Sequence, residues 1–232
     1  MTFLRLPALL LTGVLALAGC AGHQPVALYQ LDSGHPGEPR KSGGMSVLLA
    51  PVAVADYLRH DALLQRQPDG SLRAASDGRW AGSLSADIDQ LLLRQLAWRL
   101  DSSRVSLAAT PSARTPDVQV QLSITRLDSG SAQPAVLDAQ WRLLDRRGQV
   151  RDNRIIHLEQ KHQGGTAAQV HAQGLLLQRL AEQLTVALRP LANQPALADE
   201  KKASKEMPKE AAEKPKMPLA APIRTEMEVF RF

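Results

Sequence analysis

The chain has 232 residues, with 28 basic and 23 acidic side chains and a formal net charge of +5. The positive excess is small and scattered, and no cluster of Lys and Arg is interleaved with aromatic residues, which excludes nucleic-acid binding as a function class. Aromatic residues are scarce, with three Trp, two Tyr and three Phe, so a core must be built from aliphatic side chains. A single cysteine excludes a disulfide framework.

The N-terminus carries the pattern of a bacterial lipoprotein signal. Arg5 precedes an apolar stretch, residues 6–16, that is too short to span the ~30 Å hydrocarbon core of a bilayer. The sequence Leu17-Ala18-Gly19-Cys20 then matches the lipobox that lipoprotein signal peptidase cleaves. We predict that residues 1–19 are removed and that Cys20 is acylated at its sulfur and at the new amine. The alternative is an ordinary secretory signal with a chance cysteine.

The residue after the cysteine bears on the destination of the mature chain. Aspartate at this position retains lipoproteins in the inner membrane, whereas this chain has Ala21. We therefore expect an anchor in the outer membrane with the polypeptide facing the periplasm. Residues 20–26 form a short tether, and at ~3.5 Å per residue they hold the folded domain close to the lipid surface.

Alternation of polar and apolar residues predicts the main strands. It is clearest over 117–125 and 137–143, where every second side chain is apolar. Asp145-Arg146-Arg147-Gly148 predicts a hairpin turn, because Gly148 can adopt a positive φ, and 149–161 is then the return strand. Shorter candidates come earlier in the chain: a first strand near Ala27, strands at 46–51 and 63–66, and a turn at Pro68-Asp69-Gly70.

Two amphipathic helices are predicted, over 83–100 and 167–188. The second is preceded by Thr166, with Gln169 three residues later as in a capping box, and it is expected to end before Pro190. Each helix has one broad apolar side, so both should pack on the dry face of the sheet. We predict an α+β fold: a mainly antiparallel sheet with two amphipathic helices packed on one face, followed by a disordered C-terminal tail.

Composition separates a domain over 27–190 from a tail over 191–232. Most of the tail consists of Ala, Lys, Glu and Pro, and it cannot bury enough apolar surface to offset its ordering entropy. Its last ten residues, 223–232, alternate apolar and charged side chains and include Phe230 and Phe232. They are interpreted either as a docking strand that adds to the sheet edge of a partner or as a frayed end.

Enzymatic motifs are missing from the sequence. It contains no G-x-S-x-G nucleophile elbow, no H-E-x-x-H zinc helix and no phosphate-binding glycine loop. Asp87 and Asp89 lie two residues apart on a helix, so their side chains point in different directions and do not form a pair of carboxylates. The favourable interaction of negative charge with the helix dipole explains their position in the first turns. The remaining candidate ligands are one carboxylate and three imidazoles expected on solvated surface: Glu159, His157, His162 and His171. We predict no catalytic site, no metal site and no cofactor.

Partner contact is predicted at Tyr57, Leu58 and Leu63. These apolar residues lie between an opening strand and a turn, where side chains are often exposed, and Tyr is favoured at interfaces. Core packing is the alternative role for this group. It is the expected role for Trp80 and Trp141.

Several segments together resemble a known family. They are Val47-Leu48-Leu49-Ala50-Pro51-Val52, the run from Tyr57 to Arg66, Arg79-Trp80 before the first helix, and the strand 137–143 with its turn. In order and spacing the span from Tyr29 to Leu188 resembles the PqiC-like ABC-transport auxiliary lipoproteins, which are partners of MCE (mammalian cell entry) transport systems.

The resemblance implies a non-enzymatic lipoprotein of the outer membrane. Such a protein would be a docking or scaffold subunit for the periplasmic end of an MCE tunnel in a lipid-trafficking system. Its implied partners are an MCE-domain membrane protein with its transporter complex, the membrane through the lipid anchor, and further copies in a homo-oligomer. The alternative is a lipoprotein that binds lipid or assembles envelope components in a pocket of its own.

Overall fold

The computed structural model describes residues 25–34, 36–40, 43–108 and 115–192. The predicted signal, most of the tether and nearly all of the tail lie outside these residues, with Cys20, Phe230 and Phe232 among them, so those assignments stay predictions. In chain order the described elements are β1 (Ala27–Tyr29), β2 (Val47–Leu49), β3 (Ala53–Val54), a 3₁₀ turn (Asp56–Arg59), β4 (Ala62–Arg66), β5 (Leu72–Trp80), α1 (Leu84–Arg99), β6 (Val105–Leu107), β7 (Val118–Asp128), β8 (Ala135–Asp145), β9 (Val150–Gln160) and α2 (Thr166–Ala192).

Three long strands form the centre of the larger sheet, whose order is β6-β2-β7-β8-β9. β7, β8 and β9 are consecutive and antiparallel. Every second side chain of β7 from Val118 to Ile124 is buried, because the alternating sequence turns its apolar residues to one face. Gly148 has a φ of +73° in the turn between β8 and β9. The predicted strands and hairpin are confirmed here.

Short parallel strands line the other side of β7. β2 pairs with residues 118–120 and β3 pairs with residues 123–124, both parallel to β7. β6 in turn pairs parallel with β2. Parallel neighbours require a crossover connection, and here the chain crosses over through α1. The fold is mainly antiparallel, as predicted, with a parallel edge that the sequence pattern does not indicate.

The smaller sheet has the order β1-β5-β4. β4 and β5 form an antiparallel hairpin around a turn in which Gly70 has a φ of +85°, which confirms the predicted turn. β1 pairs parallel with the end of β5. β5 itself is not predicted, because its residues are mostly small or polar and only Gly78 and Trp80 are buried.

The two sheets meet near the end of β7. The Arg66 amide donates to the Ser129 carbonyl at 2.8 Å, and Gln65 and Ser129 form an isolated parallel bridge. The chain packs closely there, since a Cβ added at Gly130 would lie 2.2 Å from the Arg66 carbonyl oxygen. β4 therefore continues the line of β2 and β3 along the same side of β7.

The two helices cover the buried face of the larger sheet, as expected. α1 is capped by the Ser83 side chain, which accepts from the Ala86 amide. α2 continues to Ala192, beyond the predicted end at 188, and contains Pro190. A proline in the last turn removes only one intrahelical hydrogen bond, so it does not end the helix.

The predicted capping box at the start of α2 is wrong. Thr166 is the first helical residue, and its hydroxyl donates to Asp77 Oδ1 at 2.6 Å. The Gln169 side chain accepts from Ser129 Oγ at 3.3 Å. Tertiary hydrogen bonds take the place of a local cap because this helix end packs against both sheets.

The core lies between the helices and the larger sheet. Trp141 is fully buried, and Trp80 is 5% exposed, so the core role expected of both is confirmed. Leu96 of α1 and Leu176 of α2 are also fully buried, and each such side chain contributes about 1.5–3 kcal/mol. In the described part of the chain, no helix combines the length and apolarity needed to cross a bilayer.

Candidate functional site

The predicted contact residues lie around the 3₁₀ turn. Leu58 and Leu63 are buried, at 6% and 1% exposure, and belong to the hydrophobic core. Tyr57 is half-buried, while its neighbours Asp56 and Arg59 are exposed. A surface here would consist of Tyr57 and those neighbours. The partner-binding role of Tyr57, Leu58 and Leu63 remains a prediction.

The hydroxyl of Tyr57 reaches a buried carboxylate at the end of β7. It donates to Asp128 Oδ2 at 3.1 Å and accepts from the Leu127 amide at 3.1 Å. Arg66 binds the same carboxylate through Nη2 at 2.7 Å and through Nε at 3.0 Å. Arg126 Nε donates to Oδ1 at 3.0 Å. Three side chains thus converge on Asp128, whose side chain is 1% exposed.

These contacts set the charge states of the cluster. Burial opposes the ionised form of Asp128, but its hydrogen bonds and proximity to Arg66 and Arg126 outweigh burial and hold its pKa below the ordinary value. The hydrogen bond to Asp128 raises the pKa of Arg66. Burial, with the Asp128 charge beside it, raises the pKa of Tyr57 to about 12. The cluster is therefore an ionised carboxylate with two cations and a neutral phenol.

A second group of buried polar side chains adjoins this cluster. Gln173 Nε2 donates to Ser129 Oγ at 3.2 Å, and Ser129 Oγ donates to Gln169 Oε1. Gln169 Nε2 and Gln173 Oε1 are buried without a hydrogen-bond partner. Both glutamines are on the first turns of α2, so this group links the helix to the end of β7.

The arrangement around Asp128 fits a structural role better than catalysis. Each oxygen of the carboxylate is occupied by guanidinium or phenol donors, so it is not poised to accept a proton from a substrate. The cluster instead fixes the 3₁₀ turn, β4 and β7 to one another. Sequence reasoning missed Asp128, and the available signal was a charged residue at a position where the alternation of β7 predicts a buried one.

On the exposed face of the larger sheet, a histidine lies between two carboxylates. His157 Nδ1 is 2.6 Å from Asp138 Oδ1, and His157 Nε2 is 3.2 Å from Glu159 Oε1. These hydrogen bonds, first that to Asp138, raise the pKa of His157. His162 is engaged elsewhere, at 2.9 Å from the Gln133 carbonyl. No group of three or more metal-ligating side chains is assembled within the described ranges.

The folded domain matches a known protein family. The family of ABC-type transport auxiliary lipoprotein components matches residues 29–185, from β1 through most of α2. The chain belongs to this family. The members of the family are auxiliary components of transport systems rather than enzymes, and they are lipoproteins, which implies attachment to a membrane.

Two solved structures share the fold of this auxiliary lipoprotein. A crystal structure of an uncharacterised protein matches with a TM-score of 0.59 and 20% sequence identity, covering 70% of this chain and 98% of that chain. A crystal structure of a protein from Xanthomonas campestris matches with a TM-score of 0.54 and 17% identity, covering 78% of this chain and 97% of that chain. At these identities the likeness is one of fold. Among curated protein sequences there is no match.

Proposed function

We propose that this protein is an outer-membrane lipoprotein that serves as a non-enzymatic docking subunit of an MCE-type intermembrane lipid transport system. The observation that carries the proposal is the match of 29–185, nearly the whole folded domain, to the auxiliary lipoprotein family of ABC-type transporters. The signal ending at Cys20 adds a lipid anchor, and Ala21 after it favours the outer membrane. The domain then faces the periplasm, where the MCE protein would meet it.

The buried charges of the domain support docking rather than chemistry. Asp128 is neutralised by Arg66 and Arg126, and the Tyr57 phenol is kept neutral at physiological pH. A domain whose buried carboxylate is neutralised from within is suited to present a fixed surface to a partner.

The cavity beside the N-terminal end of α1 is mostly polar. It has a volume of about 510 Å³ between α1 and the segment that follows β1. Its walls include Gln30, Asp32, Asp87 and Arg94, with few apolar side chains. Acyl chains require mostly apolar walls, so this cavity does not suit a bound phospholipid.

The lipid anchor is tested in the native host by labelling with radioactive palmitate. The full chain should incorporate label and fractionate with the outer membrane, whereas Cys20→Ser should incorporate none. Recovery of the normal chain as a soluble, unlabelled periplasmic protein would remove the basis for a membrane-fixed subunit.

The partner is tested by photo-crosslinking in cells. A photo-reactive residue is placed at exposed Arg59, beside Tyr57, and at Phe232, with Gly82 as a control on an exposed turn. Capture of an MCE-domain protein, identified by mass spectrometry, supports the docking role. If purification of the crosslinked and uncrosslinked full chain yields no MCE-domain protein or transporter subunit at all, the proposal is wrong. Sedimentation of the purified chain tests the homo-oligomer.

A further inference from the structure

The C-terminal ends of the two helices carry an exposed apolar pair. Trp98 is the next-to-last residue of α1 and is 44% exposed, although Trp80 and Trp141 are buried. Val186 of α2 is 60% exposed, between the buried Leu184 and Leu188. Trp98 and Val186 line one open groove of about 360 Å³. An indole left in solvent in a chain with so few aromatic residues points to a contact surface.

The rim of this groove is basic. Arg40, Arg99 and Arg189 line it, with Glu182 as the one acidic residue. Where the structure describes the chain, none of these three arginines forms an ion pair with a carboxylate. We name the six residues Arg40, Trp98, Arg99, Glu182, Val186 and Arg189 the Trp98 patch. Its side chains carry three positive charges and one negative charge, so the patch is complementary to an acidic partner.

Part of the patch is held in place before any partner binds. The Arg99 guanidinium carbon lies 5.3 Å from the centroid of the Trp98 ring, a cation–π contact. Arg99 Nε donates to Gln95 Oε1 at 2.9 Å, and Gln95 Nε2 donates to the Ser33 carbonyl at 2.6 Å. Gly37 lies against the indole, since a Cβ there would be 3.3 Å from Trp98 Nε1. A preorganised Trp–Arg pair loses little conformational entropy on binding.

We infer that the Trp98 patch docks an acidic segment with an apolar side chain at its tip, presented by the transport partner. Trp and Arg are the residue types that dominate binding energy at protein interfaces. The apolar tip would enter the groove against Trp98 and Val186, and carboxylates would pair with Arg40 and Arg189. This inference rests on the proposed function and names the surface it uses.

The Trp98 patch lies far from β1, the first strand of the described chain. α1 begins beside the end of β1, where the Ala81 amide donates to the Tyr29 carbonyl at 2.8 Å. β1 is the strand that continues the predicted tether. Trp98 lies about 21 Å further along the helix, from the rise of 1.5 Å per residue. The patch is thus at the end of the helical layer remote from β1.

The sheet edge provides a matched control. Ile155 on β9 is 83% exposed, more than Trp98 or Val186. Two arginines of the same strand are already paired, Arg151 with Asp145 at 2.7 Å and Arg154 with Asp152 at 3.5 Å. Ile155 therefore offers exposed apolar area away from the Trp98 patch, which separates recognition at that patch from simple hydrophobic contact.

The test is site-specific photo-crosslinking in cells of the native host. A photo-reactive residue replaces Val186 or Ile155 in the full chain, with and without the charge reversals Arg40→Glu and Arg189→Glu. We expect capture of the MCE-domain protein from position 186, at least fivefold less capture after charge reversal, and none above background from position 155. Thermal denaturation of each purified variant establishes that it is folded.

The alternative outcomes overturn the inference in distinguishable ways. Capture of the MCE-domain protein from position 155 or 59 but not from 186 leaves the proposed function standing and removes this surface. Crosslinks from 186 to phospholipid alone show that the patch meets lipid instead of protein. If charge reversal leaves capture from position 186 unchanged, the partner segment is not recognised through acidic residues. If no position captures the MCE-domain protein and purification fails as well, the proposed function falls with the inference.

A fluorescence measurement checks the same surface in purified protein. Trp98 is the one exposed indole among the three tryptophans, so a blue shift of emission on adding the captured partner domain reports burial of Trp98. Trp98→Phe should abolish the shift and weaken binding about tenfold, while Arg40→Glu with Arg189→Glu should weaken it at least as much. Unchanged emission at saturating partner would overturn the inference.

Discussion

Arg66 and Asp128 join the two sheets through a buried ion pair. The arginine is the last residue of β4 and the aspartate the last of β7, and Nη2 of Arg66 donates to Oδ2 of Asp128 at 2.7 Å. The Arg66 side chain also donates through Nη1 to the Gly70 carbonyl at 3.0 Å. One guanidinium therefore holds the turn of the smaller sheet and the central strand of the larger one. The exposed surface beside Tyr57 depends on this connection for its position.

Replacing the carboxylate should destabilise the domain. Asp128→Asn leaves Arg66 and Arg126 beside an amide that cannot neutralise them. Because both arginines are partly exposed, at 24% and 31%, solvent reduces the cost, and we expect a loss of about 2–3 kcal/mol in the free energy of unfolding. Urea denaturation measures it. Asp56→Asn, at an exposed surface ion pair, is the control and should change stability by less than ~0.5 kcal/mol. Equal stability of the two variants would contradict a structural role for Asp128.

The lowered pKa of Asp128 also predicts that the stability of the domain falls at acidic pH. The folded-state pKa of Asp128 is below its unfolded value, so its contribution to stability is present above about pH 4 and is lost as the pH falls through the folded-state pKa. The difference in stability between the normal protein and Asp128→Asn should therefore shrink as the pH is lowered below about 4. A difference that stays constant over acid denaturation curves would show that the ion pair is not its source.

The close approach of the sheets should make Gly130 intolerant of a side chain. A methyl group there would lie 2.2 Å from the Arg66 carbonyl oxygen, which is backbone and is held by the sheet. We expect Gly130→Ala to cost on the order of 3 kcal/mol or to prevent folding. Gly82→Ala is the matched control, since a Cβ at Gly82 meets nothing within 4 Å. A Gly130→Ala protein with the melting temperature of Gly82→Ala would mean that the two sheets separate easily.

Local sequence patterns were sufficient for the central meander and both helices. The alternation over 117–125 and the turn at Gly148 specify β7, β8 and β9, because one face of each strand is dry and the other wet. The helical spacing of leucines specifies α1 within one residue at each end. These patterns involve residues that are close in sequence, and the tertiary packing preserves the strands and helices that they predict.

The Asp128 cluster could not be predicted in the same way. Tyr57 and Asp128 are 71 residues apart, and no local rule relates them. The pairing of β7 with β8 also shifts register between Ile124 and Arg126, which changes the face on which later residues fall. Alternation marks position 128 as buried, but it does not identify the groups that neutralise the carboxylate. β5 was missed for a related reason, since its largely exposed, small and polar residues carry no apolar alternation.

Removing the Tyr57 hydroxyl should have an effect that depends on alkaline pH. Tyr57→Phe leaves the Leu127 amide without its acceptor, which costs about 1–2 kcal/mol at neutral pH. Because the folded-state pKa is about 12 against 10.0 unfolded, the phenol's contribution is present below pH 10 and is lost as the pH rises towards 12. Denaturation between pH 9 and 12 should show a steeper loss of stability in the normal protein than in Tyr57→Phe. Parallel curves would contradict the raised pKa.

The raised pKa of His157, on the exposed face of the larger sheet, can be tested without measuring the stability of the protein. Asp138 and Glu159 raise the pKa of His157, so it should titrate above the ordinary histidine value of about 6.5, as followed by NMR of its ring protons. Asp138→Asn should lower the midpoint more than Glu159→Gln, because Asp138 lies at 2.6 Å and Glu159 at 3.2 Å. The sign follows from linkage: a raised folded-state pKa favours the protonated ring, and that preference is lost as the pH rises through the midpoint. A midpoint that Asp138→Asn leaves unchanged would show that the imidazole is not held by this carboxylate.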